Sequence, residues 1–214
     1  MRSVKLGFNT TVGGPCRLEK KQKVFLSHSG KDKAFVSHLD HRLRSVHHYP
    51  FFDVREDSLP VGDEFAHIIF RASKQCRLAI VVVSDDFFMS KWPMLELAAF
   101  VEAKNGVNPE MKILPLFYRL TVAEFKEPER QRDWFEKWEK LKESDERLDI
   151  SSWEKALRVL GGHNGVVYCG IQQTEDEYIE NIVQSVFRLV HPDALYDDSH
   201  VKGGTHLREV SNTG

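Results

Sequence analysis

The chain has 214 residues, 41% of them hydrophobic and 29% charged, which suits one full-sized α/β domain with its own core. Thirty Lys and Arg against thirty-two Asp and Glu leave a net charge of -2, so composition offers no argument for bulk attraction to nucleic acid or to an anionic membrane. Three scattered cysteines, Cys16, Cys76 and Cys169, fit neither a disulfide framework nor a zinc spacing and point to a reducing, cytoplasmic setting.

Residues 1–22 show no periodicity and lack the apolar run of a signal peptide, so they read as a flexible lead-in. The domain is expected over 23–190, and 191–214 reads as a disordered polar tail. KVFLSH (23–28) is a short β-rich run. Residues 32–47 place Phe35, Val36, Leu39, Leu43 and Val46 on one helical stripe. YPFFDV gives a second strand with Pro50 at its start, where proline is tolerated. DSLPVGD is a turn-rich loop, and EFAHIIFRASK a helix. RLAIVVVS (77–84) has six successive apolar residues, mostly β-branched, as a central parallel strand covered on both faces requires. SKWPMLELAAFVEAK (90–104) is a helix that admits Pro93 because it falls in the first turn. KILPLFY (112–118) is a fourth strand, Trp134, Trp138 and Leu141 mark one helix, and Trp153, Ala156, Leu157 and Leu160 another. GVVYCG (165–170) is a fifth strand, and DEYIENIVQSVFRLV closes the domain as an amphipathic helix.

Strands alternating with helices imply right-handed βαβ crossovers and a flavodoxin-like three-layer fold, a five-stranded parallel sheet with helices on both faces. Ligands of such sheets bind beyond the carboxyl ends of the strands. Three loops therefore draw attention: His28 to Asp32, Asp53 to Asp63, and Ser84 to Trp92. His38 and His41 have no third ligand at a recognisable spacing, so no metal is expected.

KVFLSHSGKD, FFDVREDSLPVGDEF, AIVVVSDDFFMSKWPMLELAAF, KILPLFY and SSWEKAL, in that order and spacing, resemble the strand, loop and helix motifs of plant-type Toll/interleukin-1 receptor (TIR) domains. The resemblance runs from about Lys23 to Val190. It implies cleavage of the nicotinamide–ribose bond of NAD+, here a substrate and not a cofactor. The family's W-C-x-x-E-L pattern falls on Trp92-Pro93-Met94-Leu95-Glu96-Leu97, which assigns the catalytic glutamate to Glu96 and a substrate-holding aromatic to Trp92. Pro93 stands in place of the family's cysteine. Trp92 and Glu96, four apart, share a helix face. An acid in this early turn reads as half-exposed, with its ionised form favoured by the helix N-terminus. His28, Ser29, Gly30 and Lys31 at the end of the first strand and Ser84 and Asp85 at the end of the third are the remaining pocket candidates. Plant relatives often carry S-F-R-G where this chain has Ser27-His28-Ser29-Gly30, so the role of that arginine does not transfer.

The resemblance also implies self-association. Ser37 and His38 fall where plant TIR domains pair through their first helix, and Leu59, Pro60 and Gly62 form an apolar loop tip of the kind that packs against a neighbour. Implied partners are NAD+, a second copy of the chain through TIR–TIR contacts, and other TIR proteins, with no membrane. The products would be nicotinamide with ADP-ribose or cyclic ADP-ribose variants that signal in plant immunity and cell death. The alternative is a non-enzymatic adaptor that works by TIR–TIR contacts alone.

Overall fold

The computed structural model describes residues 24–52 and 72–191. Five parallel strands, β1 (Val24–Ser27), β2 (Phe51–Phe52), β3 (Leu78–Val83), β4 (Lys112–Phe117) and β5 (Val166–Val167), form one sheet in the order β2-β1-β3-β4-β5. The helices whose full extent lies among the described residues are α1 (Lys33–Ser45), α2 (Asp85–Phe88), α3 (Lys91–Asn105), α4 (Val122–Phe125), α5 (Pro128–Ser144), α6 (Ile150–Gly161) and α7 (Glu175–Val190), with a 3-10 turn at Gly30–Asp32, and residues 72–75 are helical too. This is the flavodoxin-like arrangement expected from the sequence, and its order reverses between β1 and β3.

Side chains of a strand alternate between the two faces of its sheet, and the core divides accordingly. Leu78, Ile80 and Val82 of β3 join Val24 and Leu26 of β1 against α1 and α7. Ala79, Val81 and Val83 join Phe25 against α2, α3, α5 and α6. β3 is buried at all six positions, which is why it reads as a continuous apolar run. Helix α3 is buried through most of its length, from Pro93 to Ala103, as a helix enclosed by neighbours on several sides must be. Trp134, Trp138 and Trp153 seal the space beside it. The Trp138 indole N–H donates to the Phe88 carbonyl at 2.5 Å, joining α5 to α2.

Several local expectations change. Val46 lies just past the end of α1 and is 38% exposed, so the buried stripe ends at Leu43. The stretch after β3, read as a loop, contains α2, a single turn capped by Ser84, which accepts from the Phe87 N–H at 3.2 Å. A second single turn, α4, carries a reciprocal capping box between Thr121 and Glu124. β5 covers two residues of the expected six: β4 ends at Phe117, opposite Val167, so residues 168–170 run past it, and Pro115 bars extension at the other end. The Phe117 carbonyl accepts from the Tyr168 N–H across the β5 side, and alternate residues of a parallel strand face the same neighbour. Pro115, two positions earlier, therefore puts its missing N–H on the β5 side and spares the β3–β4 ladder. Gly165 fits over it, because a Cβ there would stand 2.5 Å from the Pro115 carbonyl oxygen.

Candidate functional site

The alternation of β1 decides where the site forms. Ser27 is in phase with Phe25, so it faces α3. Phe25 meets Phe100 of α3 edge-on, with ring centroids 4.9 Å apart. Two residues along a strand advance about 6.6 Å, and four residues back along a helix about 6 Å. The contact after Phe25–Phe100 is thereby Ser27–Glu96. The Ser27 hydroxyl donates to Glu96 Oε2 at 2.5 Å, with both residues buried. A further helical turn back stands Trp92, 41% exposed, with the Lys91 ammonium 5.4 Å from its ring centre.

Glu96 departs from the sequence expectation in two ways. It is 8% exposed, not half-exposed, because Phe100 seats the helix directly on β1. It also lies in the second turn of α3, which starts at Lys91, and the helix-dipole effect fades beyond the first turn. A donated hydroxyl takes the part assigned to the helix end.

Beside this pair lies a second buried carboxylate that the sequence reading passed over. Asp32 is 1% exposed. Its Oδ2 accepts from the Ser29 hydroxyl and from the Ser84 hydroxyl, each at 2.6 Å. Its Oδ1 accepts no hydrogen bond among the described residues, and the Arg119 Nε stands 3.9 Å away. Ser29 and Ser84 are thus fixed in the walls at the ends of β1 and β3, where the sequence had them lining a pocket mouth. Asp85 is likewise held, by the Arg130 guanidinium and by the Trp134 indole N–H at 3.1 Å.

The exposed candidates are His28, half-buried, and Gly30 and Lys31. His28 Nδ1 lies 2.7 Å from the Ser29 carbonyl; only an N–H satisfies that contact, so Nδ1 carries the proton. The Lys31 ammonium donates to Asp86 at 2.7 Å. The structure therefore gathers His28–Lys31, Ser84–Asp86 and Glu96 at one end of the sheet, on either side of the order reversal. Ser37 and His38 lie elsewhere, on the exposed side of α1, where the His38 ring faces Glu175 and Asp176 of α7 at 3.5 Å. Leu59, Pro60 and Gly62, with Asp53, lie outside the described residues.

Two residues that matter here, Ser27 and Asp32, were missed. Strand phase gives a signal for Ser27, since a polar residue at the last position of a buried strand faces the same layer as Phe25. Nothing local signals the burial of Asp32, which follows two exposed residues in a polar loop.

The model of the TIR domain matches residues 24–151. Disease resistance-like protein CSA1 of Arabidopsis thaliana is 27% identical over 173 residues, covering 80% of this chain and 14% of that protein. NAD(+) hydrolase PdTIR of Paracoccus denitrificans is 32% identical over 102 residues, covering 47% of this chain and 33% of that protein. The chain therefore spans only a small part of the plant relative's length. Among solved structures, the TIR domains of the activated Roq1 resistosome superpose with a TM-score of 0.64 at 26% identity, covering 77% of this chain and 98% of that one.

Proposed function

The chain belongs to the TIR domain family, and from that premise we propose that it is an NAD+ glycohydrolase in which Glu96 is the catalytic residue. Nicotinamide departs from a cationic pyridinium and needs no general acid. The cost of the step lies in the electron-poor, oxocarbenium-like ribose left behind. A fixed carboxylate beside that sugar accepts its hydroxyl hydrogen bonds and opposes the developing positive charge. Capture of the sugar carbon by water gives ADP-ribose, and capture by another atom of the same molecule gives a cyclic isomer.

The observation that carries this reading is the buried Glu96 carboxylate held by Ser27 at the carboxyl ends of the strands. A charge taken out of water is a burden on the fold, and packing at this position would be served as well by an uncharged side chain. Trp92, one turn away and exposed, supplies a flat surface for a ring. The name of the Paracoccus relative supports the same substrate. We place self-association on the exposed Ser37 and His38 of α1, and the reaction in the cytoplasm of a plant immune response.

The test is incubation of the purified chain with NAD+ and identification of the products by mass spectrometry. Wild type should release nicotinamide, and Glu96→Ala should release it at least about a hundredfold more slowly while keeping the wild-type circular dichroism spectrum. A folded Glu96→Ala variant that matches the parent rate removes Glu96 from the chemistry. A wild type that releases no nicotinamide, alone or concentrated, leaves the adaptor reading.

A further inference from the structure

We infer that Ser27 is the positioning residue for Glu96, an inference that rests on the glycohydrolase reading of this site. Ser27 is fully buried, so its hydroxyl is screened from water. A serine has a single proton to give, and that of Ser27 goes to Glu96 Oε2 at 2.5 Å. The partners are 69 positions apart in the chain, so the bond is a product of the tertiary fold and not of local turn chemistry.

What the bond accomplishes follows from the side chain it holds. A glutamate has three rotatable bonds, and ordering them costs free energy whenever it happens. With Oε2 fixed to β1, that ordering is complete before substrate arrives, which is what makes an electrostatic group effective in a transition state. The seat itself is rigid, because Phe25 and Phe100 lock strand to helix one step away. Ser27 never has to touch NAD+ to matter.

A group that only orients the catalytic acid affects turnover and not substrate capture. In the full chain, Ser27→Ala should lower kcat for nicotinamide release roughly ten- to hundredfold, the span of one hydrogen bond to an ionised group, with KM unchanged. Ser27→Thr keeps the hydroxyl and should hold kcat near the wild-type value. Ser27→Cys keeps the branching but puts a larger atom and a weak S–H donor in place of the hydroxyl, so it should fall with Ser27→Ala. All three should melt a few degrees below wild type and still be folded at the assay temperature, since Ala and Cys leave a buried carboxylate short of a donor and Thr adds a methyl to a packed site.

An active wild type with unchanged kcat in Ser27→Ala overturns the inference and leaves the glycohydrolase reading standing. The same follows if Thr and Cys variants lose turnover equally, or if KM rises in place of a fall in kcat. Should Ser27→Ala not fold, the Thr and Cys pair decides, and wild-type turnover in Ser27→Cys overturns the inference. A wild type with no nicotinamide release overturns the functional reading itself, and this inference with it.

Discussion

Phe100 fixes the register on which the whole site depends, and truncating it tests that register. Its ring is 0% exposed and meets Phe25 at 4.9 Å. Phe100→Ala removes a fully buried aromatic and leaves a cavity in a layer already filled by helices, so a loss of about 3–5 kcal/mol is expected. For a domain of this size each kcal/mol moves Tm by about 2–4 °C, which gives a drop of roughly 6–20 °C. Phe187 of α7 is 43% exposed, and the same Phe→Ala change there should cost about 1 kcal/mol or less. Urea titrations of the two variants, followed by circular dichroism, measure the difference directly. NAD+ cleavage by the folded fraction of Phe100→Ala should fall as well, since α3 no longer seats Glu96 against Ser27. A Phe100→Ala loss no larger than that of Phe187→Ala would refute the reasoning, because α3 would then not be seated on β1 through this contact.

Three further outcomes are expected. Burial pushes the Cys76 thiol up to about 12, so in a chain with Cys16 and Cys169 replaced by Ser, Ellman's reagent at pH 8 should find almost no native thiol and one in guanidinium; prompt native labelling would contradict the buried placement. Tyr118 is pushed up to about 12, first by burial and then by the hydrogen bond and charge of Glu175. Its folded value lies above the unfolded one near 10, so the stability it contributes is complete below pH 10 and is lost as pH rises through about 12; absorbance at 295 nm showing every tyrosine ionised near pH 10 in still-folded protein would exclude this. His38→Ala should weaken self-association in sedimentation velocity at matched concentrations, and identical profiles would mean that this face of α1 is merely solvated.

The layers of the fold were legible because periodicity was strong where burial was complete. β3 is apolar on both faces, and α1 shows its stripe from Phe35 to Leu43, so both could be read within a residue or two. Single-turn helices carry too few residues to show any period, and α2 passed as a loop for that reason. α4 had a legible signal in Thr121-Val122-Ala123-Glu124, a capping box that was not read. The shortness of β5 depended on where β4 ends, at Phe117, and on the direction of one missing N–H, at Pro115, and both require the pairing to be known. At the site, Glu96 was legible as a resemblance, but its burial was not. That burial depends on Phe25 and Phe100, which are 75 positions apart and meet only in the folded chain. Asp32 was opaque for the same reason, since Ser84 comes to it from 52 positions away.

That distant serine has a mechanical consequence. One oxygen of Asp32 gathers a hydroxyl from the loop after β1 and another from the loop after β3. If either loop swings outward alone, a buried carboxylate is left one donor short, a penalty of about 1–3 kcal/mol or more. Ser84 also caps α2 by accepting from the Phe87 N–H, so a shift of Ser84 alone would uncap that turn as well. The loops after β1 and β3 are therefore tied by a common knot. A displacement of either loop is thereby felt by the other.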